Sequence, residues 1–160
     1  MGSGPSIHLC ANRQPANLIL ISPYTSIKNV SKELLGTFMS GLLIKERFKN
    51  IDKIGEVDCP ILLIHGKKDK LVPHEHSENL ARSSHNSAMV KLCLNENMEH
   101  NNFNLYIEII NPIYEFFKES GYDPDTSQII KKDALFNYGL ILRYFNKLNS
   151  PEDDVCYKIL

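Results

Sequence analysis

The sequence is short of the features that mark several large classes of protein. It carries no basic excess: 18 lysines and arginines stand against 19 aspartates and glutamates, a formal charge of −1. A general nucleic-acid binder needs surplus cation to neutralise phosphates, so no nucleic-acid partner is expected. The lysines are scattered and read as solvated surface. No apolar run reaches the roughly 18 residues that cross a bilayer, and "MGSGPSIHL" does not have the shape of a signal peptide. The four cysteines, Cys10, Cys59, Cys93 and Cys156, form no C-x-x-C pair. That spacing suits neither a metal site nor a disulfide framework. No metal and no cofactor are expected, and reduced thiols point to a cytoplasmic setting. The ending "CYKIL" puts Cys156 fifth from the terminus where prenylation needs the fourth. No internal repeat or low-complexity tract interrupts the chain.

What is present is an alternation of two patterns. "GPSIHLCANRQ" reads as a short helix with Pro5 in its first turn, where a missing N–H costs nothing. "ANLILIS" is a continuous apolar run suited to a strand covered on both faces, "CPILLIHG" is a second, fully apolar strand, and "MVKLCLNE" gives a third. Between them, residues 31–48 carry Leu34, Leu35, Phe38, Met39 and Leu42 at helical spacing, weakened by Gly36 and Gly41. "PHEHSENLARSS" reads as a polar helix opening at Pro73, and 102–120 as a long apolar helix kinked or interrupted at Pro112. Strand and helix in alternation predict an α/β fold with a parallel sheet and right-handed crossovers. Residues 1–120 form this unit. After the "YDPDTS" turn, residues 121–160 read as a helical extension whose apolar positions, Leu140, Ile141, Tyr144 and Leu148 among them, suit an amphipathic helix.

Open α/β sheets place their functional groups at the carboxyl ends of the strands. Asp69 follows the second strand and His100 the third, so both fall on one rim. A carboxylate that accepts from one imidazole nitrogen fixes the tautomer and leaves the other nitrogen as a base. Alone, a loop Asp is ordinarily a turn former and a loop His is exposed; together, in that order at neighbouring strand ends, they form a candidate pair. His65 reads as packed structure and His8 as helix surface. His74 and His76 would need a third ligand to hold a metal, and none is evident. His85 lies at the exit of the polar helix, and Cys93 reads as a buried thiol.

The stretches "CPILLIHGKKDKLVP" and "MEHNNFNLYIEIINPIYEFF" resemble the carboxyl half of an α/β-hydrolase. The nearest branch is that of small serine hydrolases that include protein depalmitoylases. "NIDKIGEVDCP" is similar to the stretch such enzymes place ahead of the acid-bearing strand. The resemblance runs to about Ser120 and has no counterpart for the tail. It implies three parallel strands with flanking helices, an acid at Asp69 and a base at His100. It also implies a nucleophile on a G-x-S-x-G elbow ahead of both. In this branch the elbow runs on into Gly-Ser-Gly-Pro, which makes Gly2 its second glycine and puts the serine immediately before Met1.

Met1 would then supply an oxyanion N–H, and Leu34, Phe38, Met39 and Leu42 would line an acyl pocket, although a helix face packed on the sheet accounts for the same four residues. Ser3 does not fit the elbow on either side and is not taken as the nucleophile. The expected substrate is an ester or thioester, with its identity open. The 160 residues on their own are expected to be inactive, as a fragment of a longer hydrolase, with an apolar sheet edge left open. Any membrane association would come through a segment ahead of Met1. The rival class is a non-catalytic binding module of hydrolase shape that docks a partner through its carboxyl-terminal helix.

Overall fold

A computed structural model describes residues 2–35 and 48–122. Within them three strands form one parallel sheet: β1 (Leu18–Ile21), β2 (Ile61–Gly66) and β3 (Val90–Asn95), in the order β1-β2-β3. Register pairs Leu18 with Ile61 and Ile64 with Cys93, so the three strands end along a common rim. The helices are α1 (Ser3–Asn12), α2 (Ile27–Leu35), α3 (Asn50–Lys53), α4 (Glu75–Ser83) and α5 (Asn111–Glu119). A 3-10 turn (Ile54–Glu56) follows α3, and a π-helical segment (Leu105–Ile110) leads into α5.

The central strand explains its own composition. All six residues of β2 are buried, with side chains alternating between two apolar layers. Ile61 and Leu63 join Ile7, Leu18, Leu20, Ile54, Val57 and Leu80 on one face. Leu62 and Ile64 join Met98, Ile109 and Phe116 on the other. Helices α1 and α4 thus cover one side, and the 105–119 helical stretch covers the other. Ile61, Leu62, Leu63 and Ile64 are each 0% exposed, and burial of such a side chain stabilises by about 1.5–3 kcal/mol. A strand covered on both faces has no polar face to show, hence the unbroken apolar run.

Four local features depart from the sequence reading. Strand β1 is fully covered on one face only: Leu18 and Leu20 are buried, whereas Ile19 is half-buried and Ile21 is exposed. Helix α2 begins at Ile27, four residues ahead of the expected start, because Ser26 caps it. The Ser26 hydroxyl accepts from the Asn29 N–H at 3.1 Å, satisfying a donor that a helix start otherwise leaves open, and the Ser26 carbonyl accepts the first helical bond, from the Val30 N–H, at 3.2 Å. Cys93 is half-buried rather than buried, since β3 is an edge strand of the sheet among the described residues. The interruption near Pro112 takes the form of the π segment. An α-helical Pro112 has no N–H to give the Glu108 carbonyl, and the Asn95 side-chain amide donates to that carbonyl at 3.2 Å. The remainder of the helix expected through residue 48, where it falls on residues 36–47, and the extension from residue 123 onward lie outside the described residues.

Candidate active site

Asp69 and His100 meet at the rim. Asp69 sits in the loop after β2, in a turn where its N–H donates to the Gly66 carbonyl at 3.1 Å. One carboxylate oxygen, Oδ1, accepts from the backbone N–H groups of Leu71 at 2.9 Å and Val72 at 2.8 Å. This is the local side-chain-to-backbone pattern that Asp favours in turns. The other oxygen, Oδ2, accepts from His100 Nδ1–H at 2.7 Å, within the range of a charge-assisted bond. The Asp69 side chain is fully buried and the His100 ring is 30% exposed. One partner is therefore shielded from water while the other faces it.

Burial by itself would push the Asp69 carboxyl up. The Val72 N–H, the His100 bond and the Leu71 N–H outweigh it, so the group titrates below its ordinary value. Asp69 therefore stays ionised at neutral pH, and its Oδ2 fixes the proton of His100 on Nδ1. With that proton on Nδ1, a neutral His100 ring carries its lone pair on Nε2, the form that can take a proton from an alcohol.

Backbone geometry holds the pair in place. The Lys67 N–H donates to the Asn95 carbonyl at 2.8 Å and the Lys68 N–H to the Met98 carbonyl at 3.2 Å. These extend the β2–β3 pairing past the ends of the strands, and so bind the loop of Asp69 to that of His100. Gly66 makes the approach possible. A Cβ there would lie 2.5 Å from the Met98 carbonyl carbon and nearer still to its oxygen. The "HG" ahead of Asp69 is thus a steric requirement of the crossing.

His65 is fully buried, as its packed-strand reading predicts. Its Nε2 lies 2.8 Å from the Val72 carbonyl oxygen and its Nδ1 lies 2.6 Å from Ser77 Oγ. A carbonyl only accepts, so the ring proton is on Nε2 and Nδ1 accepts from the Ser77 hydroxyl. Burial pushes this imidazole below its ordinary value, against smaller upward contributions from the Val72 carbonyl and Asp69. It is therefore neutral.

The remaining histidines divide by surroundings. His8 is exposed on α1 and His85 is exposed beyond α4. His74 pairs with Glu75 and Glu78. His76, by contrast, is buried on the inner face of α4 with Ser77 and Leu80. Its Nδ1 accepts from the Thr25 N–H at 3.3 Å and contacts Thr25 Oγ1 at 2.8 Å. It thereby ties the loop after β1 to α4. This role escaped the sequence reading, although His76 and Leu80 share helical spacing on one face. At the end of β1, Ser22 adopts φ 45°, a conformation uncommon for a residue other than glycine. Among the described residues no group of three His, Cys, Asp or Glu side chains forms a metal-ligand set. No helix among them is long and apolar enough to cross a membrane.

The other sequence-derived candidates fall elsewhere. Ser3 opens α1, and Asn50 Nδ2 donates to its hydroxyl at 3.5 Å. Gly4 packs tightly against Phe48 and Tyr24. Leu34 lies in α2, but its side chain is outside the description; Met1, Phe38, Met39 and Leu42 lie wholly outside the described residues.

Comparison with known proteins agrees with this architecture. The human alpha/beta hydrolase domain-containing protein 17B is 30% identical over 120 residues, covering 74% of this chain and 39% of the relative. The chain spans well under half the length of the curated relatives it matches. Among solved structures, a Pyrococcus furiosus esterase aligns with a TM-score of 0.59 at 17% identity, over 74% of this chain and 51% of that one. A Pyrococcus horikoshii acylaminoacyl peptidase aligns with a TM-score of 0.55 at 13% identity, over 88% and 25%. At these identities the structures speak to fold alone, and the fold is that of the carboxyl portion of an α/β-hydrolase. The family model described as serine hydrolase (FSH1) matches residues 21–100, half of the chain and the whole span from the end of β1 through Asp69 to His100; the chain belongs to that serine hydrolase family.

Proposed function

We propose that this chain supplies the acid and base of a Ser-Asp-His acyl hydrolase acting on ester or thioester bonds. The observation that carries the reading is the 2.7 Å bond from His100 Nδ1 to Asp69 Oδ2 at the carboxyl ends of adjacent parallel strands. In this reading His100 Nε2 takes the proton of an attacking serine as its oxygen bonds to the acyl carbon. His100 then returns that proton to the departing alcohol or thiol. Water repeats the sequence on the acyl-enzyme and releases the carboxylic acid. Asp69 holds the tautomer and stabilises the imidazolium, without itself taking the proton.

No G-x-S-x-G occurs in the 160 residues. The reading therefore takes the nucleophile from a residue directly ahead of Met1, with Gly2 as the second elbow glycine. The Met1 N–H would be one oxyanion donor, a contribution of about 3 kcal/mol to the transition state. Leu34, Phe38, Met39 and Leu42 would line the acyl site. The depalmitoylase-like motifs favour an S-acylated protein as substrate. Such a substrate would bring the enzyme to the cytoplasmic face of a membrane through an anchor outside this chain. Residues 121–160 form a separate extension in this reading.

A fluorophosphonate probe tests the reading. The 160-residue chain should not label, whereas a longer chain carrying G-x-S ahead of Met1 should label. That labelling should disappear in its His100→Ala variant. Labelling of the short chain would overturn the reading.

A further inference from the structure

His65 makes more contacts at this site than a packed strand residue needs, and they converge on Asp69. Its ring is 0% exposed and is held from two directions. On one side the Ser77 hydroxyl of α4 donates to Nδ1. On the other, Nε2–H donates to the Val72 carbonyl and lies 3.4 Å from Asp69 Oδ2, the oxygen that His100 uses. Val72 is thus held by both of its backbone polar groups, on the two peptides that flank its Cα: its N–H donates to Asp69 Oδ1 and its carbonyl accepts from His65. With Ser77 on a helix and His65 on the central strand, the turn carrying the carboxylate is braced against two rigid elements.

We propose that His65 is a positioning residue that sets the orientation of Asp69, and through it the tautomer of His100. The proposal rests on the catalytic-pair reading and adds a residue that works behind it. The chemistry is specific to a neutral imidazole in one tautomer. Its single N–H must point at the Val72 carbonyl, and the same polar edge then faces Oδ2. A carboxylate has two rotational choices about its own axis and several about the turn, and functional geometry tolerates only about 0.5 Å and 10–20°. An apolar ring of similar size would fill the space but would free the Val72 carbonyl, and with it the turn. Neither Leu71 nor Val72 could then hold Oδ1 in a fixed place.

Nuclear magnetic resonance of the 160-residue chain with ¹⁵N-labelled histidine tests this directly, because it reads tautomers and needs no turnover. Wild-type protein should show His100 as the Nδ1–H form with a protected downfield proton, and His65 as the Nε2–H form. His65→Phe should keep the amide spectrum of β1–β3 and lose the protected His100 proton. His65→Gln, whose side-chain N–H reaches the Val72 carbonyl, should retain it. Ser77→Ala leaves the ring in place but removes one of its two restraints, and should cause a partial loss. A folded His65→Phe with an unchanged His100 signal would overturn the proposal. If His65→Phe does not fold, an unchanged His100 signal in Ser77→Ala overturns it instead. A wild-type His100 without the Nδ1–H tautomer would sink the catalytic pair itself, and the proposal with it; normal wild-type behaviour with unresponsive variants sinks the proposal alone.

Discussion

Replacing Gly66 by alanine probes how closely the two loops of the site must cross. The new Cβ would stand 2.5 Å from the Met98 carbonyl carbon and 2.9 Å from Met98 Cβ. Carbon atoms in contact prefer about 3.5–4 Å. The obstacle is backbone, so no rotamer change relieves it, and the Met98 peptide must retreat by about 1 Å. That retreat strains the Lys68 N–H bond to the Met98 carbonyl, now 3.2 Å. It also carries His100, two residues on, away from Asp69 by more than the roughly 0.5 Å that a catalytic arrangement tolerates. Overpacking of this kind costs about 1–3 kcal/mol, and a backbone clash belongs near the upper figure. For a chain of this size each kcal/mol shifts Tm by about 2–4 °C, so a fall of roughly 6–12 °C is expected. Thermal unfolding followed by circular dichroism measures the fall, and the histidine spectrum reports the lost His100–Asp69 bond. A Gly66→Ala protein that melts within a degree of wild type and keeps that bond would refute the reasoning.

Asp69→Asn should keep the turn, since its amide oxygen can still accept from Leu71 and Val72, but its NH₂ would oppose His100 Nδ1–H and His65 Nε2–H. His100 should then flip to the Nε2–H tautomer, and hydrolysis by a longer, serine-bearing chain should fall by about 10⁴; rate assays on the variant check this. Stability should decline in acid in two stages. His65 has its imidazole pushed below its ordinary 6.5, so the unfolded chain binds that proton first and stability is lost as pH falls below 6.5. Asp69 has its carboxyl lowered from an ordinary 3.8, so its contribution is intact above that value and is lost as pH drops through the lower folded one. Urea melts across pH 3–8 test the sign, which is wrong if stability rises on acidification from pH 7 to 5. Asn95→Leu should cost about 1 kcal/mol by stranding the Glu108 carbonyl, and less in a Pro112→Ala background that restores a backbone donor. A double-mutant cycle in urea measures that coupling, and strict additivity would contradict it.

Strand content was legible because β2 is covered on both faces and must be apolar throughout, so "ILLI" has one sensible reading. The pair at the rim was legible for a topological reason. Parallel strands joined by right-handed crossovers end on the same side, so Asp69 and His100 had to share an edge. Other parts of the site depend on contacts that no local pattern encodes. His65 looks like a strand residue until Ser77, twelve positions on, and the Val72 carbonyl fix its tautomer. His76 looks like polar helix surface until Thr25 arrives from a loop 51 residues earlier. The start of α2 was misplaced because periodicity marks the apolar face of a helix, whereas its first turn is set by a single hydroxyl on Ser26.

The most direct test of the central claim is whether Asp69 acts through His100. In a serine-bearing longer chain, thioester hydrolysis should be compared for His100→Ala, Asp69→Ala and the double variant. Groups that work as one unit are strongly non-additive, so the double variant should be no slower than His100→Ala alone. Losses that multiply, or an Asp69→Ala enzyme with wild-type rate, would contradict the account.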